Sequence, residues 1–123
     1  MNKKELGLTF ERFWQELVEA ERFGNIAVRV TVESAFEKWN DDWAKLALLS
    51  DSLICRATFL IARNDRELTG VYLLLIKQIW DWAEENLSGR AFHDFCIYSP
   101  RNHAYMLYSD DTPEILDFLL EFG

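Results

Sequence analysis

The sequence predicts one α+β domain over residues 1–123, with about five mostly antiparallel strands packed on about four helices. Three observations predict it. Ile26, Val28, Val30 and Val32 alternate with Ala27, Arg29, Thr31 and Glu33, a period of two built from β-branched residues. Two nearly continuous apolar runs, Ser52 to Ala62 and Glu67 to Ile76, flank the charged turn Arg63-Asn64-Asp65-Arg66 as the strands of a buried hairpin would. A second hairpin is expected where His93 to Ser99 and Asn102 to Ser109 flank Pro100-Arg101, because proline presets a turn backbone. The alternative is a mostly α fold that keeps only the C-terminal hairpin.

In chain order, residues 9–23 come first as an amphipathic helix. Phe10, Phe13, Trp14, Leu17 and Val18 follow helical spacing, Thr9 is placed to cap the start, and Gly24-Asn25 to stop it. The strand of 26–33 follows, although the same residues also fit one continuous helix over 26–40. Ser34-Ala35-Phe36-Glu37 matches a capping box and opens a helix over about 34–48. For the runs around 63–66, two helices would fit the continuous hydrophobicity as well as two strands do. Gly70 favours strands, since it costs about 1 kcal/mol inside a helix. A helical pattern over about 74–87 ends at Ser88-Gly89. After the second hairpin, Asp110-Asp111-Thr112-Pro113 starts a last helix through Ile115, Leu116, Leu119, Leu120 and Phe122.

Composition narrows the function. Half of the 123 residues are apolar, enough for a sizeable core, and the formal charge is -8, from 21 acidic and 13 basic residues. A phosphate backbone would be repelled by such a surface, and the basic residues are scattered, so no nucleic-acid partner is expected. The longest apolar run, Val71 to Ile76, is far short of the roughly 20 residues that span a bilayer, so no membrane partner is expected either. Met1-Asn2-Lys3-Lys4-Glu5 leads into no apolar stretch, and Cys55 and Cys96 form no Cys-x-x-Cys pair. Together these predict two unpaired cysteines and a cytoplasmic protein.

No Gly-x-Gly-x-x-Gly, phosphate loop or Gly-x-Ser-x-Gly is present, so no cofactor and no catalytic residue is predicted. The doublets Glu84-Glu85 and Asp110-Asp111 have helix-surface or helix-start duties. His93, Asp94, Cys96 and His103 invite a metal reading. In the expected hairpin, however, Cys96 and His103 share one face and His93 takes the other, so no metal site is predicted.

Tryptophan beside carboxylates is the remaining signal, in Trp39-Asn40-Asp41-Asp42-Trp43 and Trp80-Asp81-Trp82-Ala83-Glu84-Glu85. At about 100° per residue, Phe36, Trp39, Trp43, Leu46 and Ala47 share one apolar arc, with Asp41 opposite and Lys45 four residues on for an exposed ion pair. Trp80 joins Ile76, Ile79, Ala83 and Leu87 in another core arc. Trp82 falls outside that arc, with Gln78, Asp81 and Glu85, and must meet either another part of the chain or a partner.

Beyond Arg101 no Lys or Arg follows, while Asp110, Asp111, Glu114, Asp117 and Glu121 gather acid near the end. The expected function is therefore an interaction module of the inhibitor, immunity or adaptor kind. It would hold a basic protein partner through Trp82, Asp81 and Glu85 and through Asp110, Asp111, Glu114 and Asp117. Self-association as a homodimer is a further expectation. The rival is a small-ligand binder or enzyme with an aromatic pocket lined by Tyr98, Tyr105 and Tyr108.

Overall fold

The computed structural model describes residues 3–99 and 101–103, and among them there are helices and turns but no strand. Five helices follow one another: α1 (Lys3–Glu21), α2 (Asn25–Trp39), α3 (Trp43–Ala62), α4 (Arg66–Asn86) and α5 (Gly89–Ile97). The expected α+β class is overturned, together with the strand over 26–33, the hairpin over 52–76 and the strand over 93–99. The rest of the second hairpin, over 104–109, and the helix expected after Thr112 lie outside the described residues.

Each correction has a physical reason. The alternation of Ile26, Val28, Val30 and Val32 is a helix with apolar side chains on two opposite faces. Val28 and Val32 are buried, while Ile26 and Val30 point outward. Ser34 lies inside α2, so the capping box caps nothing, and the break falls later, where Asp42 accepts a hydrogen bond from the Ala44 N–H at 2.8 Å and caps α3. Thr9 likewise lies inside α1, its hydroxyl donating to the Glu5 carbonyl at 2.8 Å.

The continuous apolar run of 52–62 belongs to α3, which every other helix contacts. A helix covered on all sides is apolar all round, so its own sequence shows little amphipathic period. Leu46, Leu49, Leu53, Ile54 and Ala57 of α3 are fully buried, with Leu17, Val28, Val32, Tyr72, Ile76 and Phe95 around them. Gly70 sits on the exposed side of α4, where an added Cβ would touch nothing, so it interrupts no packing.

The turns are where the sequence was most legible. Arg63-Asn64-Asp65 reverses the chain as expected, between helices instead of strands. Asn64 takes the left-handed conformation (φ 63°), its N–H donating to the Ile61 carbonyl at 2.9 Å, while the Asp65 N–H donates to the Leu60 carbonyl at 3.0 Å. This pair of bonds satisfies the last carbonyls of α3, and the Asp65 carboxylate then caps α4 through the Leu68 N–H at 3.2 Å. Gly24 joins α1 to α2 at φ 109°, a conformation that side chains rarely adopt.

A charged cluster ties the two helical hairpins together. Arg56 of α3 donates Nε and Nη2 to the two carboxylate oxygens of Glu21, both at 2.6 Å, and the Tyr72 hydroxyl of α4 donates to the same carboxylate at 2.6 Å. The two charged side chains keep only 14% and 10% of their surface. Three helices therefore converge on one bidentate pair. The Arg56 guanidinium is held above its ordinary pKa first by its hydrogen bond to Glu21. Burial, then the hydrogen bond to Glu21, pushes the Tyr72 phenol well above its usual range.

Candidate interaction surface

The surface is built on α4, whose Leu68, Tyr72, Leu75, Ile76, Ile79, Trp80 and Ala83 form the buried stripe. Trp80 lies within it, as expected. Its Nε1–H donates to the buried Ser50 hydroxyl at 2.8 Å, and its ring meets Phe95 edge-on at 4.9 Å.

Trp82, two residues on, is half-buried. Its ring sits edge-on to Phe36 of α2, with centroids 5.2 Å apart at 87°. The indole thus meets another part of the chain while keeping one side open. Val32, Phe36, Leu75, Ile79 and Trp82 line an apolar cleft of about 150 Å³ between α2 and α4, with Glu33 and Gln78 at its polar edge. Asp81 and Glu85 are exposed beside it on α4. Two neighbouring cations form surface pairs there, Lys77 with Asp81 at 3.4 Å and Arg29 with Glu33 at 3.9 Å. Such pairs contribute about 0–1 kcal/mol, so an incoming cation can exchange with them at little cost.

The first tryptophan stretch divides between two helices. Trp39 ends α2 and packs on Phe10 and Phe13 of α1, at 4.6 and 5.4 Å between centroids. Trp43 begins α3 and meets Tyr98 edge-on at 5.8 Å, while the expected Asp41–Lys45 pair forms at 3.6 Å. Tyr98 is therefore engaged in an aromatic contact just beyond α5 and presented by no hairpin. Tyr105, Tyr108, Asp110, Asp111, Glu114 and Asp117 lie outside the described residues. His93 and His103 are exposed, and among the described residues no three of His, Cys, Asp and Glu converge as metal ligands would.

Cys55 and Cys96 are free, Cys96 being buried on α5. Burial, with the Glu84 carboxylate adding to it, pushes the Cys96 thiol up to about 11. That environment favours the protonated thiol, the less nucleophilic form. Ser99 and Asn102 secure the chain after α5: the Ser99 hydroxyl donates to Asp51 at 2.6 Å and the Asn102 amide to the Ala47 carbonyl at 2.9 Å.

Sequence reasoning missed two features. Phe36 was assigned to the core arc of the first tryptophan stretch, whereas it forms the opposite wall of the Trp82 cleft. The outward face of the α1–α2 hairpin was also missed: Phe23 and Ile26 are 76% and 79% exposed, and Val30 and Leu8 57% and 56%. A helical reading of the 26–32 alternation carries that signal, because it puts Ile26 and Val30 opposite Val28 and Val32.

No protein-family model matches this chain, and comparison with curated proteins and with solved structures gives no match. Among the described residues, no helix is long and apolar enough to cross a membrane.

Proposed function

We propose that this chain is a small helical protein-interaction module that receives an apolar side chain from a basic partner in the Trp82 cleft. The observation that carries this reading is a half-open tryptophan walling an apolar cleft with carboxylates at its margin, on a chain of net charge -8. A cleft of about 150 Å³ suits one side chain. Small-molecule sites run from roughly 300 Å³ upward, which favours a protein partner over a free ligand. Such a module is of the inhibitor, immunity or adaptor kind; Asp110, Asp111, Glu114 and Asp117, which the sequence also offers for a basic partner, lie outside the described residues. Two free cysteines suit a reducing, cytoplasmic setting.

The test is quantitative capture of partners from the source cell's lysate, comparing the wild type with Trp82→Ala and Glu85→Lys at low and high salt. A basic protein held by the wild type, lost with both variants and released by salt is the expected result. Partners retained equally by all three would overturn the reading. Trp82→Ala is expected to cost only about 1–2 kcal/mol of stability, against about 3–5 for a fully buried tryptophan, so the variant should fold.

A further inference from the structure

The outward side of the α1–α2 hairpin is a long trough. One open groove of about 520 Å³ runs between Leu8, Arg12 and Glu16 of α1 and Val30, Thr31 and Lys38 of α2. A second, of about 470 Å³, continues from Arg12, Glu16 and Thr31 to Glu19, Ala27 and Phe23. They share Arg12, Glu16 and Thr31, so they form one feature that runs about 18 Å along α1 from Leu8 to Ala20, at 1.5 Å of rise per residue, and reaches Phe23 in the turn beyond. Exposed apolar side chains stand at both ends, Leu8 at one and Phe23 with Ile26 at the other. On α2 the same face continues to Val30, opposite the buried Val28 and Val32. A helix apolar on two opposite faces is built to be covered on both.

The charges say what covers it. Leu8, Arg12, Gln15, Glu19 and Phe23 recur every three or four residues and form one stripe along α1 and its C-terminal turn. In residue number the stripe is symmetric about a point between Gln15 and Glu16: Arg12 and Glu19 are equally spaced on either side within α1, and so are Leu8 and Phe23, the latter in the turn just beyond the helix. A second stripe laid antiparallel on the first therefore sets Leu8 against Phe23 and Arg12 against Glu19, twice. That is the self-complementarity an isologous two-fold contact requires, with polar inner positions fixing direction and register. Arg12 has no ion-pair partner among the described residues, and Glu19 has only the exposed Arg22 at 3.8 Å. Glu16 lies one position off the stripe, on the α2 side.

We propose that the α1–α2 face is a homodimer interface, in which a second copy of the chain packs its own α1–α2 hairpin antiparallel across the trough. This contact is separate from the Trp82 cleft on the α2–α4 side and does not depend on the function assigned to that cleft.

Sedimentation equilibrium on the full chain over a wide concentration range tests it. The wild type should show a reversible monomer–dimer equilibrium that weakens as salt is raised. Arg12→Glu should raise the dimer dissociation constant about tenfold, since two attractive surface pairs become repulsive, and Glu19→Arg should do the same. The double variant R12E/E19R exchanges the charges in both halves and should restore the constant to within about threefold of the wild type. Phe23→Ser should weaken the dimer without a salt dependence of its own. All of these side chains are exposed, so the far-ultraviolet circular dichroism of the variants should match the wild type. A chain that stays monomeric throughout, its face then left to a different partner, would overturn the proposal. So would a dimer indifferent to these variants, or one that the double variant fails to restore.

Discussion

The α3–α4 hairpin and the α1–α2 hairpin share one plan, two antiparallel helices joined by a short turn, and they distribute their apolar residues differently. In the first, α3 is contacted by every other helix and leaves Phe59 exposed, and α4 exposes little that is apolar apart from Leu74 and the open side of Trp82. In the second, an inward stripe of Phe13, Leu17, Ala20, Val28, Val32 and Ala35 joins the core, with Phe10, Phe36 and Trp39 packed against it, while Leu8, Phe23, Ile26 and Val30 remain outside. The difference teaches that one helical hairpin can serve as a core and another as a surface, and their apolar contents follow it: 25 of the 41 residues of α3 and α4 are apolar, against 16 of the 34 of α1 and α2. What separates them is that richer apolar content together with how many neighbours each has.

Leucine removal in α3 against isoleucine removal in α2 is the most direct way to break that contrast. Leu53→Ala should cost about 2–5 kcal/mol, because it leaves a cavity inside the most enclosed helix. Ile26→Ala should change the stability of the monomer by no more than about 0.5 kcal/mol. Urea unfolding of both variants at low protein concentration measures the pair. Similar losses at the two sites would erase the distinction.

The joint between the hairpins comes next. Glu21→Gln or Arg56→Met alone leaves a nearly buried charge without its bidentate partner and should cost about 3 kcal/mol. The double variant E21Q/R56M should lose clearly less than the sum of the two. A strictly additive cycle would mean that the pair does not couple α1 to α3.

The smallest expected effect is on pH dependence. The Cys96 thiol is raised from 9.0 to about 11 in the folded chain. It binds its proton more tightly folded than unfolded, so its contribution to stability is complete below about pH 9 and is lost as the pH climbs towards 11. Tyr72, also raised, acts in the same direction from higher pH. The melting temperature should fall through this alkaline range, and Cys96→Ala should flatten the first part of the fall. An unchanged profile in that variant would remove the thiol from the account.

Particular residues show how much was legible. Trp80 as core, the reversal at 63–66, the Asp41–Lys45 pair and the helical stop near Ser88 were readable, because each depends on neighbours three or four residues away. Trp82's position off the core stripe was readable for the same reason. Its contact with Phe36 was not, since that residue lies on another helix. The period of two over 26–32 was observed correctly and assigned to the wrong element, because β-branched residues on two faces of a helix mimic a strand when the cover on each face is unknown. Gly70 misled for a related reason: its cost inside a helix is small beside the burial of Leu68, Tyr72, Leu75 and Ile76 around it.

By itself, the sequence determined the quantities that local chemistry decides: turn positions, the helical stripe of α4, the acidic balance and the lack of a catalytic or cofactor motif. Only the tertiary structure decided that the apolar runs are helices, which of them is enclosed, and that Trp82 and Phe36 share a cleft. The reason is physical. Hydrophobic burial is non-directional and depends on how many elements surround a segment, which is a property of the assembled molecule and not of any window of its chain.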